Sequence, residues 1–154
     1  MIDANAQVEA RIKKLKLLPR NIVPYMETYL YWGMNLRKPI KVRFLKEAET
    51  YFLAQNEKIQ KKFLVSFEKT EAGNKGTWFA KLKNTDGIYE FRQRDHQKFY
   101  RIFAFWDSEE KETLIVATHG IDKKSNKTPL KEIKKAEDLK KKYFETKNNK
   151  LWRQ

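Results

Sequence analysis

The sequence predicts a small α+β domain. A helical hairpin and a C-terminal helix are expected to pack on a twisted, mainly antiparallel sheet of about four strands. Three observations lead there. A period-two strand pattern starts at Pro39 and is followed at once by two helical patterns. Three strand patterns then come in succession, separated by short polar turns that favour antiparallel meander pairing. An amphipathic helix follows them, and all the helices are expected on one face of the sheet.

The elements are justified in chain order. Residues 1–38 are expected to be an N-terminal helical extension: Val8, Ile12, Leu15 and Leu18 keep helical spacing up to Pro19, and Tyr25 to Met34 can form a second helix. The competing reading is an over-long start, with Met34 as the true first residue. From Pro39, Ile40, Val42 and Phe44 alternate with Lys41 and Arg43, which gives one face for a core. Residues 46–55 carry Ala48, Tyr51, Phe52 and Ala54. Residues 57–71 carry Ile59, Phe63 and Phe67 four apart, with Leu64 beside them, and Gly73 and Gly76 end this second helix.

The meander strands are read at Ile88 to Gln93, Lys98 to Trp106 and Thr113 to His119. Turns at Asp95, His96 and Gln97 and at Ser108, Glu109 and Glu110 separate them. Gly120 is expected to end the last strand, leaving Ile121 to Lys127 as a basic loop. Thr128 is expected to cap the final helix and Pro129 to fit its first turn. That helix has an apolar stripe of Leu130, Ile133, Ala136, Leu139 and Tyr143, with lysines over the rest. The main domain is thus read as 39–147, with 148–154 as a C-terminal tail.

Composition narrows the function. The 154 residues carry 34 Lys and Arg against 20 Asp and Glu, a net charge of +14. Residues 1–38 contribute +4 and residues 39–154 contribute +10, so the charge is spread along the chain. Such an excess points to a polyanion partner: RNA, DNA, an anionic surface or an acidic protein. There is no cysteine, which excludes disulfides, thiolate zinc sites and cysteine nucleophiles. No apolar run approaches the roughly 20 residues of a membrane span. The expectation is a soluble cytoplasmic protein without a membrane partner.

Several chemistries lack their motifs. There is no glycine-rich phosphate loop and no serine nucleophile elbow, and the two histidines, His96 and His119, are too far apart for a helical metal pair. No metal and no cofactor are expected. What stands out instead is basic. Arg92 and Arg101 each sit mid-strand among aromatics, where a guanidinium needs an anion or a solvated face. The plain reading is an exposed sheet face, with Glu90 pairing one arginine. The sharper reading joins both arginines to Lys123, Lys124 and Lys127 in the following loop as a phosphate-binding surface, since the arginine fork bonds two phosphate oxygens at once.

From Val42 to Tyr143 the chain resembles the RelE/ParE superfamily of type II toxins, nearest to its HigB-like, phage-derived branch. Three blocks carry the resemblance: Gly87-Ile88-Tyr89-Glu90-Phe91-Arg92 with Tyr100-Arg101-Ile102-Phe103-Ala104-Phe105-Trp106; Thr118-His119-Gly120-Ile121-Asp122-Lys123-Lys124; and Lys127-Thr128-Pro129-Leu130-Lys131-Glu132-Ile133. The superfamily holds ribosome-dependent mRNA endonucleases and DNA gyrase inhibitors. The resemblance therefore implies a toxin of a toxin–antitoxin pair. The leading expectation is a metal-independent endoribonuclease that cleaves mRNA on the ribosome through 2′-hydroxyl attack on the adjacent phosphate. A ParE-like gyrase inhibitor and a non-catalytic RNA-binding or decayed toxin are the alternatives.

The resemblance also implies roles. Arg101 matches the arginine facing the scissile phosphate, Lys123 or Lys124 the basic position after the last strand, and Arg92 a further sheet arginine. His119 is the residue best suited to proton transfer, with a packed strand-end histidine as the plain alternative. Ile88 and Glu90 stand where some relatives place lysines, so Glu90 is either a base or the partner of Arg92. Lys81, Lys83, Arg94, His96, Lys98, Lys127 and Lys131 complete the groups expected to contact RNA. The implied partners are mRNA, ribosomal RNA and an antitoxin, expected to be a small helix-turn-helix protein.

Overall fold

A computed structural model of the chain describes residues 40–109 and 113–152, with side chains to Asn149. The expected N-terminal extension and the Met34 start lie outside the described residues, as does part of the turn at Glu110. The elements run β1 (Ile40–Phe44), α1 (Lys46–Ala54), α2 (Glu57–Glu71), β2 (Phe79–Lys81), β3 (Ile88–Arg94), β4 (Phe99–Asp107), β5 (Thr113–Lys123) and α3 (Leu130–Trp152). Among the described residues one sheet holds all five strands, in the order β1-β5-β4-β3-β2. The meander pairs antiparallel, while β1 lies parallel to β5, because the chain crosses over through the α1–α2 hairpin between them. The α+β class holds, with five strands rather than about four. The added strand is the short β2, whose Phe79 stacks on Phe91 and Tyr89 of β3.

Strand alternation divides the core between two faces of the sheet. Val42, Phe44, Phe91, Tyr100, Ile102, Ala104, Ile115 and Ala117 point to the hairpin, where Phe52, Ile59, Phe63 and Phe67 meet them. Phe44, Phe52, Phe67 and Phe91 interlock edge to face or tilted, and each fully buried ring of this kind stabilises by about 2 kcal/mol. Ile88, Phe103, Phe105, Leu114 and Val116 point the other way, to Ala136, Ile133, Tyr143 and Phe144 of α3. The expectation of all helices on one face is therefore corrected. Both faces of β4 and β5 are apolar, and a sheet apolar on both sides needs a cover on each.

The helix ends follow their local chemistry. Asn56 accepts from the amide of Ile59 at 3.0 Å and so caps α2. Gly73, at φ 86°, closes α2: its amide reaches Thr70 O and that of Asn74 reaches Lys69 O. At the far end, buried Asp107 on β4 accepts from Tyr143 Oη at 2.7 Å and Lys147 Nζ at 2.8 Å, which clasps α3 to the sheet. Helix α3 continues through the residues read as a tail, as far as Trp152.

Gly120 does not end β5, which runs on to Lys123. A Cβ at Gly120 would lie 2.0 Å from Cδ1 of Tyr51, so the glycine makes room for the α1 ring. The Tyr51 hydroxyl then reaches Asp122 Oδ1 at 2.7 Å and Ile121 O at 3.0 Å, tying the end of the strand to α1.

Candidate functional site

A β-bulge sets the geometry of the site. Ala104 pairs with Ala117 but Phe103 pairs with His119, which leaves Thr118 as an extra residue in β5. Up to Val116 the even-numbered residues of β5 face α3; beyond the bulge His119, Ile121 and Lys123 do so instead. Three rows then cross the α3 face of the sheet. They are Glu90–Phe103–His119, Arg92–Arg101–Ile121 and Arg94–Phe99–Lys123. Directly opposed residues in such rows stand about 5 Å apart.

The cationic groups gather around one buried carboxylate. Glu90 Oε1 accepts from Arg92 Nε at 2.8 Å and lies 3.5 Å from Arg101 Nε. Its Oε2 accepts from Thr128 Oγ1 at 3.1 Å, and that oxygen accepts in turn from Lys123 Nζ at 2.9 Å. The Thr128 hydroxyl is thus part of the cluster instead of the expected helix cap. Arg101 is 3% exposed and donates to Gln93 O, Tyr100 O and Asn126 Oδ1. Arg92, whose side chain is 38% exposed, forms the mouth of the cluster. Three cations against one carboxylate leave an uncompensated positive charge.

Burial dominates the titration here. It pushes Lys123 below the ordinary lysine range, Glu90 partly offsets this, and Arg101 and Arg92 add to the lowering. Burial likewise lowers Arg101 against the pull of Glu90, although an arginine stays charged at any working pH. His119 is 2% exposed and stacks on Phe103 at 4.8 Å. Its Nε2 lies 2.8 Å from Glu132 Oε2 and its Nδ1 lies 3.0 Å from Thr118 Oγ1. Burial lowers its pKa more than Glu132 raises it, with Lys135 acting in the same sense as burial. Both ring nitrogens are engaged, so His119 joins β5 to α3 and the imidazole is not presented to the arginines. The plain reading of a packed strand-end histidine describes it better.

The remaining sequence candidates divide. Arg94, His96, Lys98 and Lys124 line one surface groove at the end of the β3–β4 hairpin, together with Phe99. Lys124 therefore leaves Lys123, its chain neighbour, and joins this second group. Lys98 is held by Asp122 at 2.6 Å. Lys127 is exposed in the loop before α3 and Lys131 is exposed on its first turn. Lys81 pairs with Tyr89, whose side of β3 faces the hairpin, so it does not extend the patch. Lys83 is exposed just beyond β2. Sequence reasoning missed Thr128 as a cluster member, Asn126 as the acceptor for Arg101, and Glu132 as the partner of His119. Of these, only the helical spacing of Glu132 after Pro129 carried any signal.

Comparison with curated proteins and with solved structures finds no match. No helix among the described residues is long and apolar enough to cross a membrane. The family model described as phage-derived protein Gp49-like (DUF891) matches residues 50–141, more than half of the chain. The matched stretch contains the whole meander and with it Glu90, Arg92, Arg101, Lys123 and Thr128. The chain belongs to the Gp49-like phage-derived family, a member of the RelE/ParE-like toxin superfamily.

Proposed function

We propose that this protein is the toxin of a type II toxin–antitoxin system and a metal-independent endoribonuclease that cuts mRNA on the ribosome. The observation that carries this reading is the meeting of Arg92, Arg101 and Lys123, from three adjacent strands, on one face of the sheet. Arg92 turns its fork to the scissile phosphate and Arg101 supports it from below with fixed positive charge. Turning Arg92 releases Glu90 Oε1, which takes the proton of the attacking 2′-hydroxyl. The 2′-oxygen bonds to phosphorus, the 5′-oxygen leaves, and the Lys123 ammonium protonates it. The depressed pKa of Lys123 suits a proton donor. The products are a cyclic phosphate and a free 5′-hydroxyl.

The test is cell-free translation with added protein. Cleavage of message inside codons, lost in Arg92→Ala and Arg101→Ala, supports the reading. Intact message with blocked DNA supercoiling would favour a ParE-like gyrase inhibitor. The specific observation on that side is that Glu90 already occupies the anion position between the two arginines. A ribosomal target places the action in the cytoplasm. It also calls for an antitoxin, of helix-turn-helix type in this reading, whose acidic segments steer onto a +14 chain.

A further inference from the structure

The β3–β4 hairpin ends in a surface groove of about 530 Å³ that the catalytic reading leaves unused. Arg94, Asp95, His96, Lys98, Phe99 and Lys124 are among the residues that line it. It lies one row beyond Arg92 and Arg101, since Arg94 opposes Phe99 and Phe99 opposes Lys123. Two strand residues on one face are about 7 Å apart, which is within the stride of one nucleotide of an extended strand.

Three features point to a ligand. First, Arg94 and Lys124 make no side-chain hydrogen bond or ion pair among the described residues, whereas Lys98 is held by Asp122. Second, Asp95 does not neutralise them. Its Oδ1 accepts from the amides of Gln97 and Lys98 and its Oδ2 from Tyr100 Oη at 2.7 Å, so its charge is directed into the turn. Third, Phe99 is half-buried and the guanidinium of Arg101 lies 5.4 Å from its ring centre. One ring thus borders both the arginine cluster and the groove.

We propose that this groove binds the nucleotide next to the scissile bond. Arg94 and Lys124 hold its phosphate, and its base stacks on Phe99. The assignment rests on the reading of Arg92, Arg101 and Lys123 as the cleavage site. It makes the enzyme grip two successive phosphates of a single strand, with a stacking position that accepts any base.

The experiment is fluorescence polarisation of the full chain with a short single-stranded RNA carrying 2′-O-methyl groups, which cannot be cleaved, over a range of salt. The Arg94→Gln, Lys124→Gln double variant should bind about tenfold more weakly at 0.1 M salt. Its log–log salt slope should be shallower by about one to two. Phe99→Leu should weaken binding about tenfold with the slope unchanged. An oligonucleotide series with one abasic position should show a matching loss for the unaltered protein at one position only, which keeps the test valid if Phe99→Leu folds poorly. Unchanged binding and slope in the double variant, or no position-specific abasic effect, overturns the proposal. Equal loss of binding to polyglutamate also overturns it, because the groove would then be a general polyanion surface. If the groove variants behave as expected while Arg101→Ala still cleaves message, the cleavage reading fails and not the groove.

Discussion

Arg92 and Arg101 stand directly opposite each other on β3 and β4, with the carboxylate of Glu90 reaching the Nε atoms of both. Two like charges across a strand pair repel, so the carboxylate is what makes this pair tolerable. Glu90→Ala should therefore lower stability by about 3 kcal/mol, because it leaves the buried Arg101 charge uncompensated. Urea unfolding measures this. Glu90→Gln should retain most of the stability but slow message cleavage by a hundredfold or more.

Arg101→Lys preserves charge and loses the fork. The guanidinium serves three acceptors at 2.7 to 3.2 Å, and an ammonium cannot reach all of them. A loss of about 2 kcal/mol in urea unfolding is expected, together with a translation-inhibition titre at least tenfold weaker.

Gly120→Ala puts a methyl into the Tyr51 ring. The expected cost is about 1–3 kcal/mol. Because the two positions touch, the cost in a Tyr51→Ala background should be clearly smaller, and a double-mutant cycle by thermal unfolding reads the difference.

Stability should depend on pH through His119. Its folded pKa lies below the ordinary value, so the unfolded chain binds the proton more readily. The contribution is complete above about pH 6.5 and is lost as the pH falls below that value. Unfolding midpoints measured from pH 7.5 down to 5 should fall more steeply for the unaltered protein than for His119→Gln. Asp95 acts lower on the scale. The Lys98 amide, the Tyr100 hydroxyl and the Gln97 amide hold it down to about 2, so its contribution is present above about pH 4 and fades below it.

Tyr143→Phe removes one bond from the clasp on Asp107. Burial by itself would raise that carboxyl, but the bonds from Lys147, Tyr143 and the Glu109 amide outweigh it and hold it below the carboxylate range. A loss of about 1.5 kcal/mol is expected. Amide exchange should rise along α3 and leave α2 unchanged.

Much of this fold was legible because its signals are periodic. The alternation in β1 and the four-residue spacing of Ile59, Phe63 and Phe67 each allow a single element type, and those elements stand where they were read. Arg92 and Arg101 were legible as charges out of place in aromatic strands. Lys123 was not legible as a strand residue, because a glycine that makes room for Tyr51 looks in sequence like a glycine that ends a strand. Thr128 before a proline has the appearance of a cap, and only the approach of Glu90 from β3 shows where its hydroxyl goes. Asn126 sits in a polar loop with no pattern at all. Lys124 parts from Lys123 because β5 ends at Lys123, and the bend that follows carries Lys124 to the groove beside the β3–β4 hairpin.

The bulge at Thr118 also limits how relatives of this protein can be recombined. A chimera joined upstream of that position with a donor strand lacking the extra residue would export its terminal lysine to the wrong side, although every amino acid had been copied faithfully. Junctions placed after Lys123, in the exposed stretch leading to Pro129, escape that penalty. Segment exchange should therefore succeed on one side of this single residue and fail on the other.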